Sequence, residues 1–262
     1  MVQLQRLKNI IKKRTCSLVA SGRSIENLEK MMPQLKHLDI CWCGLGVFNI
    51  TENGIFLPNN KRYEVVFDCS SIPHARIPHY ETFWRIPRLE EYLSRNDFNI
   101  FITTDGLKRD CFKAVNRQDI IDKYDFKIME VDKIFPDHSW MDVPNSLTFL
   151  IASVIAGEAS KIIIFGSDGY SGDIITGVKS YYKADDFEAD RIAALGSNQD
   201  PGINRDTKHF EERFKTCYNR FCELFNNYPP IYNCSPITLY TFPKKITYEQ
   251  LEGVLNDNSQ RY

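Results

Sequence analysis

The segment Lys161–Phe165 (KIIIF) is the clearest strand in the chain, and the polar turn Gly166-Ser167-Asp168-Gly169-Tyr170 follows it directly. Its three consecutive isoleucines do not alternate with polar residues. Such runs are typical of strands that are buried on both faces, and therefore of parallel sheets covered by helices. The segment thus indicates an α/β fold with a polar turn at the end of a central strand.

The same order of strand, polar turn and helix recurs along the chain. We predict further strands at Cys16–Ala20, His37–Cys43, Tyr63–Phe67, Phe98–Thr103, Phe126–Val131 and Tyr232–Cys234. Helical periodicity predicts helices near residues 25–32, 80–94, 118–125, 147–156 and 205–225, and a charged helix after residue 247. The pattern predicts one α/β domain over residues 1–262, with a single doubly wound, mostly parallel, Rossmann-like sheet.

Composition excludes several classes of protein. The 262 residues carry 33 Lys and Arg against 34 Asp and Glu, so a polyanionic partner is not indicated. No basic stripe with interleaved aromatic residues occurs, and we expect no nucleic-acid binding. No apolar run approaches the roughly 20 residues of a membrane span. We therefore expect a soluble, cytoplasmic protein.

The N-terminus combines apolar residues at helical spacing with basic residues. Leu4, Leu7, Ile10 and Ile11 define the apolar face. This predicts a short amphipathic helix that leads into the first strand. The alternative is weak attachment of the helix to an anionic membrane surface, which would make the protein peripheral on the inner membrane.

The chain has eight cysteines, but their spacing predicts neither a disulfide framework nor a metal site. Cys41 and Cys43 form a C-x-C pair in a strand, and Cys217 and Cys222 are too far apart for C-x-x-C. No second pair with a matching His completes a tetrahedral zinc site. We interpret the cysteines as reduced thiols that serve as small apolar residues.

Polar residues cluster where the predicted strands end, and this is the strongest functional signal. They are Ser21, Gly22, Arg23 and Ser24 after the first strand, Asp68 after the third, Gly166 to Tyr170, and Asn233, Ser235 and Pro236 near the last. Ligands of open parallel sheets bind outside the carboxyl ends of the strands. The sequence therefore predicts a ligand site at this edge.

Individual members of this set suggest phosphate or hydroxyl binding. Gly22 lets a ligand approach the backbone, and the following helix start offers amides to a phosphate, although an ordinary tight turn is the alternative. Asp168 is suited to accept from a ligand hydroxyl or a metal-bound water, and Asp68 is similar; both could equally be turn residues. Neither G-x-G-x-x-G nor a Walker A loop occurs, which excludes the common dinucleotide and P-loop sites.

Residues 171–203 lack periodicity, and a segment of that length predicts a lid over the site. Tyr170, Tyr181 and Tyr182 could donate to a departing phosphate or anchor the lid to the core. His209, on the helix near residues 205–225, is the candidate general base, with a solvated histidine as the alternative. One of His74, His79 and His138, which lie in Pro-containing loops, could equally serve.

Taken together, the Ser-Gly-x-Ser turn, VVFDCSS at 65–71, PNS at 144–146, IIIFGSDGY at 162–170 and YNCSP at 232–236 resemble a known superfamily. It joins the bacterial CMP-sialic-acid-dependent sialyltransferases to the 6-hydroxymethylpterin diphosphokinase-like and flagellin-glycosylation accessory proteins. The resemblance spans most of residues 16–240.

The sialyltransferase branch implies roles for matching residues. Ser21 and Gly22 correspond to the residues that contact the nucleotide, with Arg23 where the family has Pro. Gly44 corresponds to a family Asn, so one donor contact is missing. Tyr170, with Tyr181 or Tyr182, would hold the leaving CMP phosphate. Asn145 and Ser146, and the Asn233-Cys234-Ser235-Pro236 turn, correspond to further nucleotide-binding segments.

The resemblance predicts a glycosyltransferase that moves a sialic-acid-like nonulosonate from a nucleotide-activated donor to a surface-glycan acceptor. No metal is essential for a CMP donor. The family's general-base His is absent, and His209 is its substitute. One alternative is an ATP- and Mg²⁺-dependent diphosphokinase acting on a pterin-like alcohol, with Mg²⁺ held by Asp68 and Asp168. The other is a non-catalytic glycan- or nucleotide-binding accessory protein. Oligomerisation is left open.

Overall fold

The computed structural model describes residues 2–20, 28, 31, 33, 35, 38–45, 63–68, 93–94, 98–103, 118–136, 146–167, 207–235, 238 and 240–257. The predicted lid at 171–203 lies outside these residues. Among the described helices, none is both long and apolar enough to cross a membrane.

The strands form one parallel sheet, which confirms the predicted α/β class. They are β1 (Thr15–Val19), β2 (Ile40–Leu45), β3 (Tyr63–Asp68), β4 (Phe98–Thr103), β5 (Ile128–Glu130), β6 (Lys161–Phe165), β7 (Ile231–Asn233) and β8 (Lys244–Lys245). Their order is β5-β4-β3-β2-β1-β6-β7-β8, and each neighbouring pair is parallel. The sheet is therefore built outward from β1 in both directions.

The described helices are α1 (Val2–Ile11), α2 (Gln118–Tyr124), α3 (Val131–Ile134), α4 (Ser146–Ala156), α5 (Thr207–Phe225) and α6 (Tyr248–Asn256). Thr247 caps α6 with its hydroxyl, and Gln250 completes a capping box. Leu28, Met31, Pro33, Leu35, Leu93 and Ser94 are also helical, as expected for the predicted helices near 25–32 and 80–94.

Some predicted boundaries were wrong. The strands predicted at Cys16–Ala20 and Tyr232–Cys234 each begin and end one residue earlier, at Thr15–Val19 and Ile231–Asn233. The strand predicted from His37 begins at Ile40, and the one predicted at Phe126–Val131 covers only Ile128–Glu130, because α3 starts at Val131. Backbone pairing, rather than the apolar run, sets these ends. The strand β8 was missed because its two exposed lysines carry no apolar signal.

Both faces of the sheet are buried, which explains why its strands are apolar throughout. On one face, Phe67 of β3 stacks on Phe149 of α4 at 5.1 Å between ring centroids. On the other, Trp42 of β2 stacks on Phe165 of β6, which stacks on Tyr248 of α6. Helices therefore exclude water from both sides of the central strands.

The N-terminal helix α1 packs on this sheet assembly through its apolar side. Leu7 and Ile11 are fully buried, which accounts for the amphipathic pattern read from the sequence. The turn after α1 joins the turn after α4, since the Lys13 amide donates to the Glu158 carbonyl at 2.9 Å. Attachment of α1 to a membrane remains a prediction.

The close contact between α1 and α4 depends on a glycine. A methyl group at Gly157 would lie 2.8–3.0 Å from three side-chain atoms of Ile11. We predict that Gly157→Ala lowers the free energy of unfolding by about 1–3 kcal/mol, because the added carbon overpacks the junction. Urea denaturation followed by circular dichroism measures the change.

Gly253 in α6 provides the matched control, since a methyl group there meets nothing within 4 Å. Gly253→Ala is expected to be neutral or stabilising by up to about 1 kcal/mol, because alanine favours helix. Equal effects of the two substitutions would contradict the close packing of α1 on α4.

Glu158 makes the stability of this junction depend on pH. Lys12 and Lys8 lie 2.8 and 2.7 Å from its carboxylate oxygens, and they hold its pKa below the ordinary 4.5. A lowered pKa contributes stability above pH 4.5 that is lost as the pH falls through the folded-state value.

We predict that Glu158→Gln reduces the free energy of unfolding at pH 7 but has little effect at pH 3. Glu252→Gln, exposed on α6, is the control variant in the same denaturation series.

Candidate functional site

The candidate site lies where the order of the sheet reverses. Strands β2 to β5 extend the sheet on one side of β1, and β6 to β8 extend it on the other. The carboxyl ends of β1 and β6 are in register, with Val19 beside Phe165. Connections from these two strands leave in opposite directions, so the crevice beyond their ends is the expected ligand site of a doubly wound sheet.

The turn after β6 is shaped by a glycine. Gly166 has a φ of 72°, a conformation that residues with a side chain adopt only at a cost. The Ala20 amide, just after β1, donates to the Phe165 carbonyl at 2.9 Å and closes the adjoining strand ends. The chain therefore turns sharply at the predicted Gly166-Ser167 segment.

Asn233, the last residue of β7, holds this turn from the neighbouring strand. Its Nδ2 donates to the Ser167 carbonyl at 3.0 Å and to Thr238 Oγ1 at 3.1 Å. The Ser167 amide also donates to Ser235 Oγ, two residues after Asn233, at 2.9 Å. These three hydrogen bonds brace the ends of β6 and β7 against each other.

The Asn233 side chain also presents an unused acceptor. It is fully buried, and its Oδ1 accepts no hydrogen bond from any described residue. A buried unsatisfied acceptor costs about 1–3 kcal/mol, and such groups are rare unless a water or ligand completes them. A hydroxyl or amino group is the kind of donor that this atom requires.

Ser167, Asn233 and Ser235, the predicted site residues whose side chains are described at this rim, are neutral. Burial, and then the Glu249 carboxylate, raise the pKa of Cys234 to about 12, so this residue is a protonated thiol near pH 7. It is therefore not an activated nucleophile. The rim offers hydroxyl, amide and carbonyl groups, which suit recognition of a polar ligand more than attack on it.

The helix α5 extends to the same edge. The Ile162 amide pairs with the Pro230 carbonyl at the amino ends of β6 and β7, and α5 ends at Phe225, shortly before Pro230. With 19 residues α5 is about 28 Å long, whereas a five-residue strand spans about 17 Å. Its first turn, which contains His209, therefore reaches the carboxyl edge, although the His209 side chain lies outside the described part.

Four predicted site residues are brought together by the structure: Gly166, Ser167, Asn233 and Ser235. Asp68 ends β3 at the carboxyl edge and Ser146 begins α4, and their side chains lie outside the described part. The remaining predicted residues lie outside the described residues and stay predictions: Ser21, Gly22, Arg23, Ser24, Asn145, Asp168, Gly169, Tyr170, Tyr181, Tyr182 and Pro236.

Thr238 of the rim was missed from the sequence. Its hydroxyl accepts from Asn233 Nδ2 and from the Tyr240 amide. Glu211 of α5 was also missed, and it accepts from the Thr241 amide at 2.7 Å. No local pattern distinguishes either residue from a solvated one.

Comparison with models of known protein families finds no match, and a search of curated protein sequences finds none either.

The role of Thr238 in bracing the rim can be measured. Thr238→Val removes the hydroxyl that accepts two hydrogen bonds, and we expect it to lower the free energy of unfolding by about 1–3 kcal/mol. Thr216→Val on the exposed side of α5 removes only a bond to the Glu212 carbonyl and should change it by less than about 0.5 kcal/mol. Similar values for both variants in urea denaturation would refute a bracing role.

Proposed function

We propose that this protein is a glycosyltransferase that uses a nucleotide-activated sugar, with a CMP-linked nonulosonate as the first candidate donor. The nucleotide binds at the carboxyl ends of β1, β6 and β7. The observation that carries the proposal is the braced rim of Ser167, Asn233 and Ser235 beside the reversal of strand order.

The position of α4 supports nucleotide binding at this edge. This helix precedes β6, and therefore runs from the carboxyl edge of the sheet towards its amino edge. Its 11 residues begin at Ser146, so its free amides and positive dipole end lie on the side where the nucleotide would bind. Ser146, the last residue of the PNS segment that resembles a nucleotide-binding element of the sialyltransferases, begins this helix.

The neutral rim supports a ligand that is recognised by hydrogen bonds. The unused Asn233 Oδ1 suits a ligand hydroxyl or amino group, either directly or through a water. Ribose hydroxyls and the amino group of cytosine both provide such donors. This chemistry fits a nucleoside monophosphate leaving group, which needs less charge compensation than a diphosphate.

The proposed transfer forms one bond at the anomeric carbon and breaks another. The acceptor hydroxyl forms a bond to the anomeric carbon of the sugar, while the bond between that carbon and the CMP phosphate oxygen breaks. His209 takes the proton of the acceptor hydroxyl, and Tyr170 with Tyr181 or Tyr182 donates to the departing phosphate.

A second candidate function is favoured by Asp68. This residue ends β3, at the same edge of the sheet as the braced rim, as the resemblance to diphosphokinase-like proteins requires. In that function Asp68 and Asp168 hold Mg²⁺, and ATP supplies a diphosphate to a pterin-like alcohol.

Nucleotide binding separates these two functions. Thermal unfolding is followed with CMP, CDP, UDP, GDP and ATP, each with Mg²⁺ and with EDTA. A ligand at about 100 times its dissociation constant stabilises the fold by about 2.7 kcal/mol. We expect CMP or CDP to raise the melting temperature equally in both conditions. Stabilisation by ATP alone, and only with Mg²⁺, would favour the diphosphokinase instead.

Matched serine variants test the location. Ser235→Ala removes the acceptor of the Ser167 amide. We expect the variant to need at least about ten times more CMP for the same rise in melting temperature. Ser160→Ala, at the exposed amino end of β6, should leave it unchanged. Equal responses would place the nucleotide elsewhere on the molecule.

Catalysis is tested separately from binding. His209→Ala should abolish release of CMP from a CMP-sugar in the presence of acceptor, while stabilisation by CMP persists. A protein that binds CMP but releases none from any CMP-sugar would instead be the non-catalytic accessory protein.

A further inference from the structure

Three cysteine side chains meet on one face of the sheet, away from the candidate nucleotide site. The sulfur atoms of Cys16, Cys41 and Cys43 all lie within 4.8 Å of one another, and the three side chains are completely buried. The Cys41 and Cys43 sulfurs are 3.9 Å apart. No described cysteine forms a disulfide.

Strand register creates this cluster. Cys16 of β1 is the direct neighbour of Cys41 of β2, so their side chains lie side by side on the same face. Cys43 lies two residues further along β2 and returns to that face, because side chains alternate with a period of two. The C-x-C pair is visible in the sequence, but the third thiol is added only by pairing of the strands.

The spacing matches that of sulfur ligands around one metal ion. Three sulfurs bonded at about 2.3 Å to an ion in their plane lie about 4.0 Å from one another. The observed 3.9 Å between Cys41 and Cys43 fits this value, and the upper limit of 4.8 Å requires only small side-chain shifts.

We propose that Cys16, Cys41 and Cys43 form a three-thiolate site for a soft metal ion, Cu(I). Thiolates select Cu(I), zinc and iron–sulfur clusters, whereas zinc in a structural site takes four ligands in a tetrahedron. Among the described residues, these three cysteines form the only such cluster, with no fourth histidine, cysteine or carboxylate. Cu(I) binds three sulfurs in a plane and needs no fourth ligand.

Arg14 and its carboxylate partners lie at the amino edge of β1 and β2. Arg14 lies just before β1, and its Nε is buried with no partner among the described residues. Its guanidinium donates to Glu64 at 2.7 and 2.8 Å and to Asp39 at 2.9 Å. Asp39 is 82% exposed, so the amino edge of β2 borders water.

The two proposed sites are separate. Cys16 and Cys41 are the second residues of β1 and β2, and Cys43 is the fourth residue of β2, beside Leu18, so all three lie within the strands. The braced rim lies beyond the carboxyl ends of β6 and β7. Metal binding at the cysteines is therefore independent of the proposed glycosyltransferase function.

Binding changes no oxidation state. Each S–H bond that is replaced by an S–Cu bond releases one proton to the buffer, and copper enters and remains as Cu(I). Cu(I) must be supplied in that state, under anaerobic conditions, to the reduced protein.

The test is a titration of the reduced full-length protein with Cu(I) against a chromophoric Cu(I) chelator, followed by X-ray absorption at the copper edge. We expect one ion per chain with three sulfur neighbours at about 2.3 Å.

The double variant Cys69→Ala/Cys111→Ala lacks the two cysteines outside the described residues, and it should bind Cu(I) with the same affinity. Four ligands, or zinc bound more tightly than Cu(I), would overturn the assignment.

Alanine variants identify the ligands. Cys41→Ala and Cys43→Ala should each weaken Cu(I) binding by at least about 100-fold, since loss of an outer-shell partner alone costs 10- to 100-fold. Cys222→Ala on α5 removes an equally buried thiol outside the cluster and should not change the affinity. Unchanged affinity in either cluster variant would disprove the site. If those variants fail to fold, the number of sulfur neighbours in the unmodified protein still decides the proposal.

Discussion

The whole arrangement depends on the hydrogen bonding of β1 along both of its edges. Its five residues pair in parallel with β2 on one side and with β6 on the other. Because β1 is interior, the chain must add strands outward in two directions, and helices must cover both faces. The reversal beside β1, the apolar character of the strands and the crevice at their carboxyl ends all follow from this pairing.

The rim beside that crevice is rigid for a reason that differs from core packing. Asn233 of β7 donates to the Ser167 carbonyl after β6, and Ser235 Oγ accepts from the Ser167 amide. Side-chain bonds to backbone groups fix the positions of two loop starts that apolar contacts alone would leave free. A rigid rim of this kind is what a ligand site requires, because loops bind well only when a scaffold positions them.

Strand β1 contributes to two separate features of the sheet. Together with β2 it brings three thiols onto the face covered by α1 and α4. At its carboxyl end, β1 borders the expected ligand site next to β6. A sheet permits this division because its faces and the carboxyl ends of its strands are different surfaces.

The sequence by itself determined the fold class, most of the strands and the edge at which a ligand site is expected. Continuous apolar runs such as Lys161–Phe165 and the polar turns that follow them are local signals, and they were read correctly at β4 and β6 in particular. Three of the residues that form the rim, Ser167, Asn233 and Ser235, were identified because they lie within or shortly after such runs. The family resemblance also came from these local motifs, and the comparisons with known proteins leave it as a prediction.

Only the tertiary structure decided which distant residues meet. Strand order placed β6 beside β1, and register placed Cys16 beside Cys41, although 25 positions separate the two cysteines in the chain. Glu211 accepts from Thr241, 30 positions further along the chain, and no periodicity of the local sequence indicates that contact. The physical reason is that backbone pairing is nearly independent of side-chain identity, so which strands become neighbours is decided by how the whole chain buries its apolar surface.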